Sequence, residues 1–468
     1  MGPNPFLFLW ELSRVSILFV PPLSGGMEIY MEIINTILSG YLLPLFLMGS
    51  GIYFGTKVRF FYLSDPIRFF RDLKENSASD GISPVRALSQ ALAGTLGVGN
   101  MTGVASAICQ GGAGAVFWMW ISALIAMSIK YFEVGLAILC RRQDREGYRG
   151  GAMYYIKDVF VKKFPKAAPI LGGVFAVLCI ANSLLTGNIV QVNSAVGAIP
   201  SLPPMLVGSA IALCALPVVC GKAKKVSSVT IGLIPFLSAL YVVLCAVVII
   251  PRISLLPSVF VEIFKGAFSR EAVGGGVGGF LFMRAIRFGT TRGIFSNEAG
   301  SGTSPTAHAS ANAKSPHHQG CFGVFEVFAD TIILCTLTAV VILLSDGTAR
   351  GERGIGLTIY AFSSQAGAAA GITVGISVIL FAFATVICQT QYGTVALQSI
   401  SKKPFLTCIY IALSAAATLW GSLINDGIMW EWADMVISLM TVLNIICLLY
   451  ASRLGYLKRI FPCKTRKP

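Results

Sequence analysis

Residues 84–108 constrain this chain more than any other stretch. The segment is long enough to cross a bilayer and carries one charge, Arg86, near its start. Its centre, Gly94-Thr95-Leu96-Gly97-Val98-Gly99-Asn100, is close to the worst helix-former that an apolar span can hold. Each glycine costs roughly 1 kcal/mol against alanine inside a helix. Backbone groups freed in hydrocarbon need partners, so a broken helix survives only when buried in protein or lining a wet cavity. Interrupted mid-membrane helices are how secondary transporters build binding sites, with half-helix N-termini facing anions and loose carbonyls facing cations. Close packing through small residues is the plainer explanation. It accounts for glycines four apart but not for Gly97-Val98-Gly99-Asn100, so the spacing predicts a break.

Composition agrees with a membrane setting. The 468 residues are 55% hydrophobic and 12% charged, where a soluble domain carries about 25% charged residues. The net charge of +15 does not point to nucleic acid, because the basic residues stand in short clusters between apolar runs. That is the pattern of positive-inside anchoring. The twelve cysteines are scattered singly, without a C-x-x-C, which argues against disulfide frameworks and zinc sites alike. His317-His318 reads as part of a polar, solvated loop with no partner at metal spacing. The third histidine, His308, completes no catalytic pattern with them. A membrane enzyme is therefore disfavoured, and a channel or passive exchanger is the stronger rival to a transporter.

Taken in order, residues 1–30 fit poorly with the rest of the chain and form an N-terminal extension, with Met27 and Met31 as alternative starts. A first span at about 33–54 and the start of a basic loop occupy 31–62. Spans are expected at 84–108, 117–140, 170–198, 204–220 and 228–250, then at 319–344, 371–399, 404–422 and 430–450. Basic clusters at Lys57–Lys74, Arg141–Lys166, Lys222–Lys225 and Lys402-Lys403, with the tail 451–468, all fall on one side. They predict an inner plasma-membrane protein of about eleven spans, with its N-terminus outside and its C-terminus cytoplasmic. Residues 251–318 must hold one further, interrupted crossing. Its break falls at Gly274–Gly279 or at Asn297–Gly302. The second is favoured, because Phe-Ser-x-x-x-Gly-x-Gly parallels the first break and gives Glu298 a reason to be there. Two interrupted crossings predict an all-α, five-plus-five inverted repeat: 84–250 and 285–450, joined by an outer linker at 251–284.

Backbone amides of Gly97, Val98 and Gly99 suit a carboxylate, and Asn100 can ligate a cation or tie two half-helices. Phe295 stands where it would lid a substrate. Glu298 is a costly carboxylate at membrane depth and marks function by default, with a salt bridge to Arg292 as the structural alternative. Ala299 and Gly300 extend the same backbone. Ser296 joins Asn100 and Asp330 as a candidate cation ligand, and Glu326 and Asp330 lie i, i+4 on one apolar helix.

Five blocks resemble the sodium:alanine symporter family, also called the alanine or glycine:cation symporters. They are Gly-Asn-Met-Thr-Gly-Val-Ala-Ser-Ala-Ile (99–108), Gly-Ala-Val-Phe-Trp-Met-Trp (114–120), Tyr-Arg-Gly-Gly-Ala-Met-Tyr-Tyr-Ile (148–156), Arg-Gly-Ile-Phe-Ser-Asn-Glu-Ala-Gly-Ser-Gly (292–302) and Phe-Glu-Val-Phe-Ala-Asp-Thr (325–331). The resemblance spans about 31–450. It implies a leucine-transporter-like fold and cation-driven uptake of a small neutral amino acid of the alanine, glycine or serine class. It further implies no cofactor beyond a coupling sodium ion, with a proton as the alternative. The partners implied are the amino acid, sodium and the lipid bilayer; a monomer is the expected form, though nothing in the sequence fixes the oligomeric state. Gln191 matches a substrate-contacting glutamine of the family. The fold's main cation site uses loose carbonyls, here of Ala93 and Leu96, with hydroxyls of the eighth core helix, here Thr385. Two departures stand out. Ala384 lacks the hydroxyl of a usual Thr-Thr pair, and Gln389 replaces a usual tryptophan, which opens the pocket to larger or more polar side chains.

Topology is directly testable. Cysteines placed at Lys224 or Lys225 should resist a membrane-impermeant thiol reagent in intact cells and react after permeabilisation. Labelling from outside would overturn the orientation.

Overall fold

The computed structural model describes residues 35, 37–74, 82–144, 147–268, 277–424 and 426–461. Residues 1–34, the glycine run 274–276 and the tail from 462 lie outside it, so the expectations made for them are not addressed. Among the described residues the chain is helical apart from a hairpin of β1 (Arg142–Asp144) against β2 (Gly147–Arg149).

Helix α1 (Leu38–Lys57) leads to α2 (Pro66–Leu73). The first interrupted crossing is α3 (Pro84–Thr95) followed by α4 (Gly99–Gly111), bent by 52°. Then come α5 (Gly114–Leu139), α6 (Ala152–Phe160), α7 (Ala167–Ala198), α8 (Pro204–Val219), α9 (Lys222–Ile249) and α10 (Leu256–Phe268). The second half opens with α11 (Val277–Asn297) and the short α12 (Pro305–Ala309). It continues with α13 (Pro316–Leu343), α14 (Gly354–Ala366), α15 (Ala368–Ile400), α16 (Pro404–Gly421), α17 (Asp426–Arg453) and α18 (Tyr456–Ile460). Eight described helices are long and apolar enough to cross a membrane, and the bent α3–α4 pair makes nine. The crossing expected at 204–220 is α8, only 16 residues long. The crossing expected within 251–318 is α11–α12, whose three arginines lower its apolarity.

Local chemistry sets the helix starts. Pro84 and Pro316 occupy first-turn positions where a missing N–H costs nothing, and the preceding serines accept from Arg86 N and His318 N. That cap corrects one expectation: His317 and His318 lie in the first turn of α13, not in a loop. His317 does have partners, since its ring meets Tyr131 Oη at 2.6 Å and Asp72 Oδ2 at 3.1 Å.

The second half repeats the first. Helices α5 and α13, α6 and α14, α7 and α15, α8 and α16, and α9 and α17 follow in the same order, each pair starting about 200 residues apart. Lengths agree, with 26 against 28 residues for the first pair, 32 against 33 for the third and 28 against 28 for the last. The two interrupted crossings run antiparallel. Ile82, ahead of α3, bridges to Ala311, after α12, while the far end of α4 packs on Arg284-Ala285 in α11. Helix α5 sits deepest, against α11, α13 and α1. Its most apolar window is 83% buried, against 22% for α16, whose Phe405, Leu413 and Trp420 face outward.

Burial of Lys130 and Glu326 with no solvent exposure gives a stability prediction. Lys130→Met should lower the melting temperature sharply, because removing one partner of a buried pair costs about 3–5 kcal/mol. Lys130→Met combined with Glu326→Leu should recover much of that loss in a thermal-shift assay.

Candidate functional site

The first break is uncharged. Helix α3 ends at Thr95, and Leu96 to Val98 leave the helix before a π-helical turn, Gly99–Gly103, starts α4. Freed groups here are met by neighbours. Val98 N donates to Gln191 Oε1 (3.1 Å), Thr385 Oγ1 donates to Ala93 O (2.9 Å), and Gln389 Nε2 approaches Gly94 O (3.4 Å). Gly97 is required by space, since a Cβ there would lie 2.5 Å from Gln191 Oε1 and 2.8 Å from Thr385 Oγ1. Gln191 itself is held by Thr186 O in the π-helical turn Leu185–Ile189 of α7.

The second break is Glu298 to Ser304, which agrees with the favoured placement. Glu298 has φ 48°, and Gly300 and Gly302 have φ 85° and 84°. Asn297 Oδ1 accepts from Ala299 N (3.0 Å), Glu133 Oε2 accepts from Gly300 N (3.2 Å), and Asn444 Nδ2 donates to Gly300 O (2.8 Å) and Glu133 Oε1 (2.7 Å). Lys130 Nζ reaches Ser304 Oγ (2.7 Å), Glu326 Oε1 (3.4 Å) and Glu298 O (3.4 Å). His308 Nε2 lies 3.0 Å from the other Glu326 oxygen. Glu298 is not paired with Arg292, contrary to the structural alternative. Its carboxylate accepts from Gln389 Nε2 (3.0 Å) and from Thr303 Oγ1. Arg292 instead meets Asp434 at 3.4 Å and stacks 5.5 Å from Trp430.

The two breaks meet at Asp330, which sits in the π-helical stretch Phe328–Cys335 of α13. Asn100 Nδ2 donates to Asp330 Oδ1 (2.7 Å) and to its backbone carbonyl (3.1 Å), and Ser296 Oγ donates to Asp330 Oδ2 (2.9 Å). Thr331 Oγ1 donates to the same Oδ2 (2.8 Å). Asn100 Oδ1 is buried without a hydrogen-bond partner, so this cluster has oxygen ligands in hand for a hard cation. Gly99 lies against Ser296 Cα and the Phe295 ring. Phe295 is buried, with its ring 5.2 Å from that of Trp430 and tilted by 46°.

The structure thus gathers the sequence-predicted residues into three linked groups. Asn100, Ser296 and Asp330 form the first. Ala93, Leu96, Gly97, Val98, Gln191 and Thr385 surround the first break. Glu298, Ala299, Gly300 and Gln389 surround the second. Sequence reasoning missed Lys130, Glu133 and Asn444. All three are fully buried, and charges inside the apolar run 117–140 were the available signal. Among the described residues around the breaks, four carboxylates (Glu133, Glu298, Glu326, Asp330) face one lysine and one histidine. Unpaired buried charge costs several kcal/mol, so these carboxylates need either protons or further positive charge.

Comparison with known proteins gives the chain its relatives. The model of the sodium:alanine symporter family matches residues 25–458. The amino-acid carrier protein AlsT of Bacillus subtilis is 34% identical over 88% of this chain and 87% of its own length. The sodium/alanine symporter AgcS of Methanococcus maripaludis is 32% identical over 90% and 95%. A Bacillus subtilis protein described as a probable sodium/glutamine symporter, GlnT, is 32% identical over 92% and 89%.

Separating backbone support from general packing needs paired variants. Gly97→Ala should abolish transport with normal expression, because its new Cβ displaces Gln191 or Thr385. Gly173→Ala, where a Cβ meets nothing within 4 Å, should transport normally. Equal activity in the two would show that the break tolerates a side chain.

Proposed function

The chain belongs to the sodium:alanine symporter family, and from that premise we propose that it imports a neutral amino acid on a sodium gradient, by alternating access around its two breaks. The observation that carries this reading is the Asp330 cluster. One carboxylate bonds a side chain flanking each break, Asn100 and Ser296, so an ion held there changes how the breaks are tied together. A conformational change follows a ligand only through differential affinity for two states. An ion that replaces the Asn100 and Ser296 hydrogen bonds to Asp330 supplies such a difference.

A second cation position is offered by Ala93 O, Leu96 O and Thr385 Oγ1. The Thr385 hydroxyl turns its hydrogen toward Ala93 O here, and binding would require it to turn a lone pair inward instead. Ala384, fully buried beside it, adds no oxygen. One missing charge-assisted contact is worth on the order of 1.5–3 kcal/mol, which is about ten- to a hundred-fold in sodium affinity. Proton coupling is the second reading, and the excess of buried carboxylates over cationic groups favours it.

The substrate's carboxylate would face the amides of the first break, with Gln191 released from Val98 N. Its side chain would lie toward Gln389, whose Nε2 is held between Gly94 O and Glu298 Oε1 and whose stem packs against Gly187. An amide where the family usually carries an indole favours a polar side chain such as that of serine, threonine or glutamine. Sites built to hydrogen-bond a polar group discriminate more strongly than sites sensing one methylene.

Reconstituted uptake tests both levels. Liposomes with an inward sodium gradient should accumulate the amino acid, whereas accumulation driven by a pH gradient alone would establish the proton reading. Ala384→Thr should lower the sodium half-saturation. In competition, serine, threonine or glutamine should displace label better than alanine, and Gln389→Trp should narrow the range; alanine winning in both proteins would refute the polar-pocket assignment.

A further inference from the structure

Where α2 and the start of α13 meet, outside the two breaks, three side chains of metal-binding type converge. Asp72 Oδ2 lies 3.1 Å from His317 Nε2, Cys321 Sγ lies 3.9 Å from the same nitrogen, and the three ligand atoms fall within 4.8 Å of one another. Tetrahedral zinc with Zn–N of about 2.0–2.1 Å and Zn–S of about 2.3 Å requires ligand separations of about 3.3–3.6 Å. Both distances from Nε2 are within a few tenths of an ångström of those values. His317 and Cys321 are four residues apart in one helix, which puts both on one face. The third ligand comes from α2, ahead of the first interrupted crossing.

The surroundings fit a metal ligand as well as the distances do. His317 Nδ1 is 2.6 Å from Tyr131 Oη, and that hydroxyl lies 3.5 Å from Ile460 O in α18. Tyr131 can therefore accept from Nδ1–H while donating to Ile460 O. In the zinc-bound state that arrangement holds the tautomer that leaves Nε2 free to ligate, as second-shell groups do in metal sites; without metal, Tyr131 donates to Nδ1 instead. The rings of Phe61 and Phe461 flank the imidazole at 5.7 and 6.0 Å. They exclude water from one side, while Asp72 and His317 keep partial exposure, with side chains 19% and 13% accessible. Mixed nitrogen, sulfur and carboxylate ligands select zinc over magnesium or calcium.

We propose that Asp72, His317 and Cys321 form a zinc site that clamps α2 onto α13, with water as fourth ligand. Without metal, Nε2–H donates to Asp72. On binding, the imidazole proton moves from Nε2 to Nδ1 and Cys321 loses its thiol proton, so one proton is released per zinc. Carboxylate and thiolate then neutralise the dication, and no electron is transferred. Helix α2 is amphipathic, with Phe69 buried and Ile67 and Phe70 exposed. The clamp therefore ties this short helix to the start of a membrane-length one.

Full-length purified protein dialysed against micromolar zinc should retain one equivalent, and its melting temperature should rise. Cobalt in place of zinc should give a thiolate-to-cobalt charge-transfer band together with tetrahedral d–d absorption. Cys321→Ser should lose that band, His317→Gln should lose stoichiometric binding, and Tyr131→Phe should weaken it by about 10–100-fold. Cys408→Ser, at an exposed cysteine of α16, should leave binding unchanged. Absence of stoichiometric zinc in the unmodified protein, or a cobalt spectrum unaltered by Cys321→Ser, overturns the proposal. These readouts involve no transport, so they stand or fall separately from the symport reading.

Discussion

Everything in this structure depends on how two stretches of unwound backbone are satisfied in the middle of an apolar bundle. A buried amide or carbonyl left without a partner costs about 1–3 kcal/mol, and each break frees several. The partners are side chains from particular helices. Val98 N, Ala93 O and Gly94 O are met from α7 and α15, by Gln191, Thr385 and Gln389. Gly300 N, Gly300 O and Glu298 O are met from α5 and α17, by Glu133, Asn444 and Lys130. Polar residues that look misplaced on membrane helices are therefore the counterpart of the glycines. Removing either side leaves the other buried and unpaired.

Mechanically, the first break leans on one set of helices and the second on another, so the two sets are joined at mid-depth by few polar ties. Asn100 to Asp330 and Gln389 to Glu298 are two such ties. The antiparallel course of the two interrupted crossings places equivalent ends on opposite sides, as an inverted repeat requires.

Much of this is legible in the sequence. Span positions come from apolar runs, which register reliably because hydropathy sums over some twenty residues. The same summation hides Lys130 and Glu133, since two charges barely lower the mean of a 26-residue helix. Their roles come from partners far along the chain, Glu326 and Asn444, which no local pattern links to them. Helices α6 and α14 escape a reading by apolar runs because both are short and lie in connections between longer spans. His317 is hard to place for a different reason. Ser315-Pro316 has the composition of a turn, yet a serine followed by proline is also the start signal of a helix. Of the two candidate second breaks, the glycines 274–276 lie outside the described residues, while the chain does leave the helix at Glu298–Ser304, where Asn297 and Glu133 meet the freed amides.

Glu298 shows why that choice is chemically forced. At φ 48° it bears a cost of about 1–2 kcal/mol for a left-handed conformation that glycine would adopt freely. A glycine would relieve the strain but remove a carboxylate that receives Gln389 from α15 and Thr303 from its own loop. Meanwhile its carbonyl receives Ser301 Oγ and lies within reach of Lys130. Only a residue with both a reachable carboxylate and a tolerable left-handed backbone can close the loop and tie it to the first break. The first break needs no such residue, because its glycines present amides and its carbonyls are met by neighbours. The two breaks are thus unlike in charge though alike in position. The first is met by neutral side chains, and the second carries a carboxylate that draws donors from its own loop and from α15.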